Sequence, residues 1–282
     1  MYEELMLKTD DNVDIFYRKD IPDNAKGIVV IVHGFAEHLK RYDYVAEVLN
    51  KNGYGCYRFD IRGHGKSGGK ILDIENYNVY LEDADIIVNK AKQEYDKLPI
   101  YMLGHSMGGF ITALYGEKYP NKLNGQILSG AATDQPLQVN PFLIKIIKIA
   151  NKICPQLRIK NDMSDLISRD KTVVQKYKND PLIHSKATMR FFNQFVVTGM
   201  EDLKSNTNKY KYNCLILHGR DDKIISYKSS HNFYNNIASI DKSIIVYDNL
   251  YHEIFNEKEK NTVINDMLNW LNEKSVAVSF TN

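Results

Sequence analysis

The chemistry this chain could perform centres on one serine. Residues 104–108 read Gly-His-Ser-Met-Gly, so Ser106 has a glycine two positions away on each side. Tyr101, Met102 and Leu103 form a short apolar run before it, and Phe110, Ile111, Ala113 and Leu114 follow at helical spacing. A strand entering a helix through such a turn bends sharply. The absent Cβ atoms let it hold the central residue in a strained, exposed conformation, the pattern of a nucleophile elbow. A hydroxyl presented in this way attacks a carbonyl carbon once a base takes its proton and a third group orients the base.

Two downstream segments carry candidates for those partners. In LILHGRDDKII, the strand Leu215–Leu217 ends in a turn bearing Asp221 and Asp222, and in IIVYDNLYHEIFNE the next strand ends in a loop bearing His252. Both follow strand C-termini, the edge of an open α/β sheet where ligands bind. His231 falls inside a predicted helix and His184 inside a long insertion, which leaves His252 as the candidate base. Asp222 or Asp221 orients it, Asp221 being equally suited to capping the helix that follows. The tetrahedral intermediate of acyl transfer also needs two N–H donors. The backbone amide of Met107 is one, and that of Phe35, in the His33-Gly34-Phe35 loop after GIVVIV, is the other.

The elements needed to position these residues are visible in the hydropathy pattern. Two alternating segments, 4–8 and 13–18, flank the Asp10-Asp11-Asn12 turn and predict an antiparallel hairpin. Apolar runs at 27–32, 55–60, 99–103, 125–129, 213–217 and 243–247 then alternate with helical stretches near 41–52, 76–95, 107–119, 226–239 and 257–273. That alternation predicts an α/β fold with a mostly parallel, buried sheet covered on both faces. Residues 133–210 interrupt the rhythm with a long segment of helical character, far beyond an ordinary connection, and are expected to form a cap over a core domain of 1–132 and 211–282. Within the cap, the helix at 141–154 has an apolar face of Leu143, Ile146, Ile147, Ala150 and Ile153, with Lys145, Lys148 and Lys152 as a basic stripe. It is expected to pack on the core, or to rest transiently on a membrane surface.

Composition narrows the partners. Thirty-seven Lys and Arg against 35 Asp and Glu leave a net charge of +2, which provides no field for nucleic acid. Three cysteines, Cys56, Cys154 and Cys214, are odd in number, and two fall in predicted strands, which points to a reducing, cytoplasmic compartment. No apolar run is long enough to span a bilayer and no targeting segment is visible. The stretch Arg62-Gly63-His64-Gly65-Lys66-Ser67 lacks the spacing of a phosphate loop. Nothing in the sequence specifies an oligomeric state.

The segments HGFAEHLKRY, FDIRGHGKSGG, GHSMGG and SRDKTVVQKYKNDPLI are similar, over nearly the full length, to the monoacylglycerol lipases and lysophospholipases of the α/β-hydrolase superfamily. The resemblance implies an eight-stranded α/β-hydrolase sheet with a helical cap and a serine esterase acting on single-chain lipid esters without a cofactor or metal. Monoacylglycerol is the expected substrate. A lysophospholipase or a short-chain carboxylesterase is the alternative, and a non-catalytic binder on the same fold a more distant one. In the family the acid lies three residues after the glycine of its turn, which from Gly219 gives Asp222, and the order serine, aspartate, histidine is the family's own. The resemblance further assigns Glu37 and Arg41 to the end of the site that holds the alcohol, and Tyr177 to its rim. Phe35 stands where a smaller residue is frequent, and the cap diverges outside the quoted segment, leaving acyl-chain preference open.

Overall fold

The computed structural model describes residues 2–160 and 162–279. In chain order the strands are β1 (Tyr2–Lys8), β2 (Asp14–Asp20), β3 (Gly27–Val32), β4 (Tyr54–Phe59), β5 (Ile100–His105), β6 (Gly125–Ser129), β7 (Arg158–Lys160), β8 (Lys186–Thr188), β9 (Cys214–Gly219) and β10 (Lys242–Tyr247). The helices are α1 (Asp43–Lys51), α2 (Asn78–Glu94), α3 (Met107–Lys118), α4 (Pro141–Ile153), α5 (Lys171–Asn179), α6 (Met189–Phe192), α7 (Met200–Asn206), α8 (Tyr227–Asn236) and α9 (Lys260–Ser279). Eight strands form one sheet in the order β1-β2-β4-β3-β5-β6-β9-β10. The β1–β2 and β2–β4 pairs are antiparallel and all other pairs parallel. This is the α/β-hydrolase architecture that the alternating pattern and the resemblance imply.

The sheet is buried on both sides because its central strands are apolar at consecutive positions, and the strand's period of two sorts them between faces. Ile28, Val30 and Val32 of β3 join the core formed with α2, α3 and α8, while Val29 and Ile31 join the core under α1 and α9. The same division holds along β5, with Ile100 and Met102 on one face and Tyr101 and Leu103 on the other. The parallel order places the ends of β3, β5, β9 and β10 at one edge, which is where the candidate site lies.

Between β6 and β9 the chain leaves the sheet. The sequence predicts this insertion as helical, but it also contains the antiparallel pair β7–β8 and a π-helical turn at Asn193–Gly199 between α6 and α7. Strands of three residues are too short to show a period, which is why neither was expected. Helix α4 also departs from its predicted face. Leu143, Ile144, Ile147 and Ala150 turn toward the protein, whereas Ile146 and Ile153 join Phe142 and Ile149 in an exposed stripe. No helix among the described residues is long and apolar enough to cross a membrane.

Candidate active site

Ser106 sits between the end of β5 and the start of α3 with φ at +52° and ψ at −117°, a backbone conformation that a side chain rarely adopts. Its N–H donates to the Ser129 carbonyl at 3.0 Å, and its own carbonyl accepts from Phe110 and Ala132. The flanking glycines are sterically required. A Cβ on Gly104 would collide with Thr112 and the Gly108 carbonyl, and one on Gly108 with the Val32 and His33 carbonyls. The turn therefore packs backbone against backbone, and Ser106 is left at the surface of a cavity.

Three strand-end loops converge on that serine. His252, in the loop after β10, places Nε2 2.8 Å from Ser106 Oγ and Nδ1 2.7 Å from Asp222 Oδ2. Asp222, in the turn after β9, is buried, and its Oδ1 accepts the N–H groups of Ile224 and Ile225 at 2.8 and 3.0 Å. Asp221 is exposed, and its backbone N–H donates to the Leu250 carbonyl. The geometry thus joins Ser106, His252 and Asp222 and leaves Asp221 outside.

The electrostatics suit a base. Burial disfavours a charged His252, but the Asp222 carboxylate beside it, aided by Glu253 and Glu37, outweighs this and holds its pKa above the usual histidine value. Burial likewise opposes the Asp222 carboxylate, yet His252 and His218 keep it ionised well below the ordinary carboxyl range. His105, whose ring lies 4.8 Å from that of His252, is pulled down to about 4 by burial and stays neutral, with Nδ1 on the Ser129 carbonyl. The two N–H groups expected for an oxyanion, those of Phe35 and Met107, make no hydrogen bond among the described residues. The loop carrying Phe35 is braced by His33, which bonds the Gly34 carbonyl through Nδ1 and takes the Ile61 N–H at Nε2.

At the other side of Ser106 lies a buried charge cluster. Glu37 accepts the Gly34 N–H at 2.5 Å and the Tyr42 hydroxyl at 2.8 Å, and pairs with Arg41 at 2.6 Å. Arg41 also makes a two-pronged contact with Glu253, at 2.5 and 2.6 Å, and stacks on Tyr177, 4.8 Å from the ring centre. Glu37, Arg41 and Tyr177, the residues expected at the alcohol end, therefore lie together. Glu253 was missed at the sequence level. Its signal was its place directly after His252, but its partner Arg41 is 212 positions away. His218, which contacts the Asp222 carboxylate, was missed as well because it sits within an apolar strand.

Both groups open onto one cavity of about 240 Å³ between the sheet edge and the insertion. Glu37, Tyr177 and Glu253 line one part of it with Ser106 and His252, and Leu143, Ile147, Met163, Phe192, Val196 and Ile224 are among the apolar residues lining the rest.

A sheet of this topology with a serine, histidine and aspartate in hydrogen-bonded sequence at its C-terminal edge defines a serine hydrolase of the α/β-hydrolase class. Residues 23–259 match the family described as "Serine aminopeptidase, S33", and the chain belongs to that family. It is similar to a monoacylglycerol lipase of Mycolicibacterium smegmatis, 35% identical over 260 residues that cover 92% of this chain and 93% of the relative. It is also similar to phospholipase YtpA of Bacillus subtilis, 29% identical over 86% of this chain and 93% of that protein. Among solved structures, a soluble variant of the monoglyceride lipase of Saccharomyces cerevisiae in complex with a substrate analog superposes with a TM-score of 0.87 at 28% identity. That match covers 96% of this chain and 95% of the yeast chain.

Proposed function

We propose that this protein hydrolyses monoacylglycerols to a fatty acid and glycerol through an acyl-enzyme on Ser106. Ser106 attacks the ester carbonyl as His252 Nε2 takes its proton, Asp222 stabilises the resulting imidazolium, and the Phe35 and Met107 amides hold the oxyanion. His252 returns the proton to the departing glycerol. Water then cleaves the acyl-enzyme by the same route. The observation that carries the reading is the cavity itself, an apolar space for one acyl chain that meets a polar end at the nucleophile.

The head group follows from the charges at that end. Arg41 is already engaged by Glu37 and by both oxygens of Glu253, so two carboxylates surround one guanidinium. A neutral diol can hydrogen-bond there, whereas a phosphate would meet the net negative charge of two carboxylates around one guanidinium. Glu37, Arg41 and Tyr177 are the residues we assign to the glycerol end. The phospholipase name of the Bacillus relative keeps a lysophospholipid as the second reading.

We further propose that residues 133–210 act as the lid of this cavity and that α4 rests on membranes. Its outer stripe of Phe142, Ile146, Ile149 and Ile153 is exposed, Leu157 and Ile159 extend it, and Lys145, Lys148 and Lys152 flank it. The three unpaired cysteines support a cytoplasmic location. The deciding experiment is kcat/KM for 1-monoacylglycerols of increasing chain length beside the matching lysophosphatidylcholines. Each methylene that enters the cavity is worth up to about fourfold, so rates should climb to long chains and favour glycerol esters. A maximum at short chains, or preference for the phosphocholine head group, overturns the substrate assignment.

A further inference from the structure

We propose that His218 is a positioning residue for the reaction at Ser106, holding Asp222 through a fourth hydrogen bond and thereby setting how strongly that carboxylate acts on His252. The inference rests on the serine-hydrolase reading of the site.

Position 218 is the first anomaly. Along β9, Cys214 and Ile216 fall in the core beneath α8, while Leu215 and Leu217 face the opposite side, so the period of two puts an apolar side chain at 218. An imidazole stands there instead, fully buried. A buried ring of this kind is kept only where its polar atoms are satisfied, and both are. Nε2 lies 3.0 Å from Asp222 Oδ2 and 3.1 Å from the Ile225 carbonyl, and Nδ1 lies 2.7 Å from the hydroxyl of Ser230, a buried residue of α8.

These partners decide the tautomer. Nε2 faces a carboxylate and a carbonyl, neither of which can donate, so Nε2 carries the proton. Nδ1 then accepts the Ser230 hydroxyl proton. The result is a directional chain in which Ser230 donates to His218 and His218 donates to Asp222. Asp222 Oδ2 is thus shared between two imidazoles, His218 and His252, while Oδ1 takes two backbone N–H groups. The carboxylate cannot rotate without losing several of these bonds at once. His218 also competes with His252 for the same oxygen, which tempers the basicity that His252 experiences. The other groups bearing on His252 are His105 from β5, Glu37 from the loop after β3, Glu253 from its own loop and Ser106.

Replacing His218 removes one donor from Asp222 and so makes it a stronger acceptor for the His252 imidazolium. The acid limb of the kcat/KM profile in His218→Leu should move up by about half a pH unit or more. The loosened carboxylate should lower kcat by about ten- to a hundredfold, the effect of losing a hydrogen bond to a charged group. His218→Gln, whose amide can donate to Asp222 and accept from Ser230, should recover most of kcat and return the limb toward the wild-type position. A merely structural role would lower the melting temperature and leave the pH limb in place, and that result overturns the proposal. Should His218→Leu fail to fold, the imidazole N–H resonances of the wild-type protein labelled with 15N-histidine decide the matter. Asp222→Asn must shift two of them, those of His252 and His218, and a shift of only one refutes the inference. The resonance test needs no turnover, so a failed hydrolase reading, seen as full activity in Ser106→Ala, is separable from a failed role for His218.

Discussion

Replacing Asp222 with asparagine should reverse the proton on His252, because the geometry dictates which way the new amide must face. The Oδ1 position accepts the Ile224 and Ile225 N–H groups, and the Oδ2 position accepts from both His252 and His218. An amide has one accepting end. Placing its NH2 against the two backbone N–H groups would leave those donors and itself unsatisfied in a buried site, at about 1 to 3 kcal/mol per group. His252 can instead exchange tautomers at small cost, and His218 gives up one bond while keeping the Ile225 carbonyl, so the NH2 goes to the Oδ2 side. His252 must then accept at Nδ1 and carry its proton on Nε2, 2.8 Å from Ser106 Oγ, where it can no longer take the serine proton. The loss of general-base function and of the negative charge together should lower kcat by about 10⁴, or about 5 kcal/mol of activation free energy. The assay is the steady-state rate on a chromogenic medium-chain ester at pH 8, with thermal unfolding as the control for folding. Asp221→Asn, at the exposed neighbouring position, should stay within about twofold of wild type, since an exposed substitution touches none of this machinery. An Asp222→Asn enzyme that folds and keeps a tenth of wild-type kcat would refute both the tautomer argument and the choice between the two aspartates.

Four further outcomes are expected. Ser106→Ala should reduce turnover by about 10⁶ while the protein stays folded, and near-normal rates would remove Ser106 as nucleophile. Because His252 must be neutral to act and its pKa is held above the usual histidine value, kcat/KM should rise with pH and reach half its plateau above that value; a midpoint below it would contradict the influence of Asp222. Glu117, with a buried oxygen lacking a partner among the described residues, is pushed up to about 8 by burial and by Asp202. The folded state therefore binds this proton more tightly than the unfolded chain, stability contributed by the neutral acid falls as pH rises from 4.5 toward 8, and Glu117→Gln should stabilise by about 1 kcal/mol or more at pH 8 but not at pH 4.5. Equal effects at both pH values in paired denaturant titrations would show that the carboxyl is solvated. Ile149→Ser with Ile153→Ser, at side chains 59% and 73% exposed, should weaken co-sedimentation with phospholipid vesicles by about tenfold or more, and unchanged partitioning would place the membrane contact elsewhere.

What could be read from the sequence was whatever is dictated locally. The elbow at Ser106 announces itself because its two glycines answer steric demands within a few residues, and the strand ends before Asp222 and His252 are marked by apolar runs that stop. The eight-stranded sheet follows from similar runs, since a doubly covered parallel strand has little choice of residue. Features that depend on distant partners were not legible in the same way. Glu37 and Arg41 stand four positions apart, but nothing local indicates that Glu253 completes their cluster. His218 lies just past the apolar run 213–217, and nothing local ties it to Asp222. Helix α4 misled for the opposite reason: Ile144, Ile146, Ile147, Ile149 and Ile153 are apolar nearly all round, so periodicity could not say which of them face the protein and which face out.

The connectivity around the insertion has an evolutionary and engineering consequence. The chain departs after β6 and returns at β9, and these strands are hydrogen-bonded neighbours, with Gln126 opposite Cys214 and Ser129 opposite Leu217. Because the pair is parallel, the intervening segment starts at the catalytic edge after Ser129 and returns to the opposite edge before Cys214, yet the two strands are neighbours, so no sheet strand must be rethreaded to exchange what lies between them. The reacting groups Ser106, Asp222 and His252 are all carried by the sheet's own loops, outside that exchangeable piece. A descendant of this chain could therefore exchange the segment that borders the cavity while keeping the sheet loops that carry Ser106, Asp222 and His252, so this is the part of the architecture most free to drift.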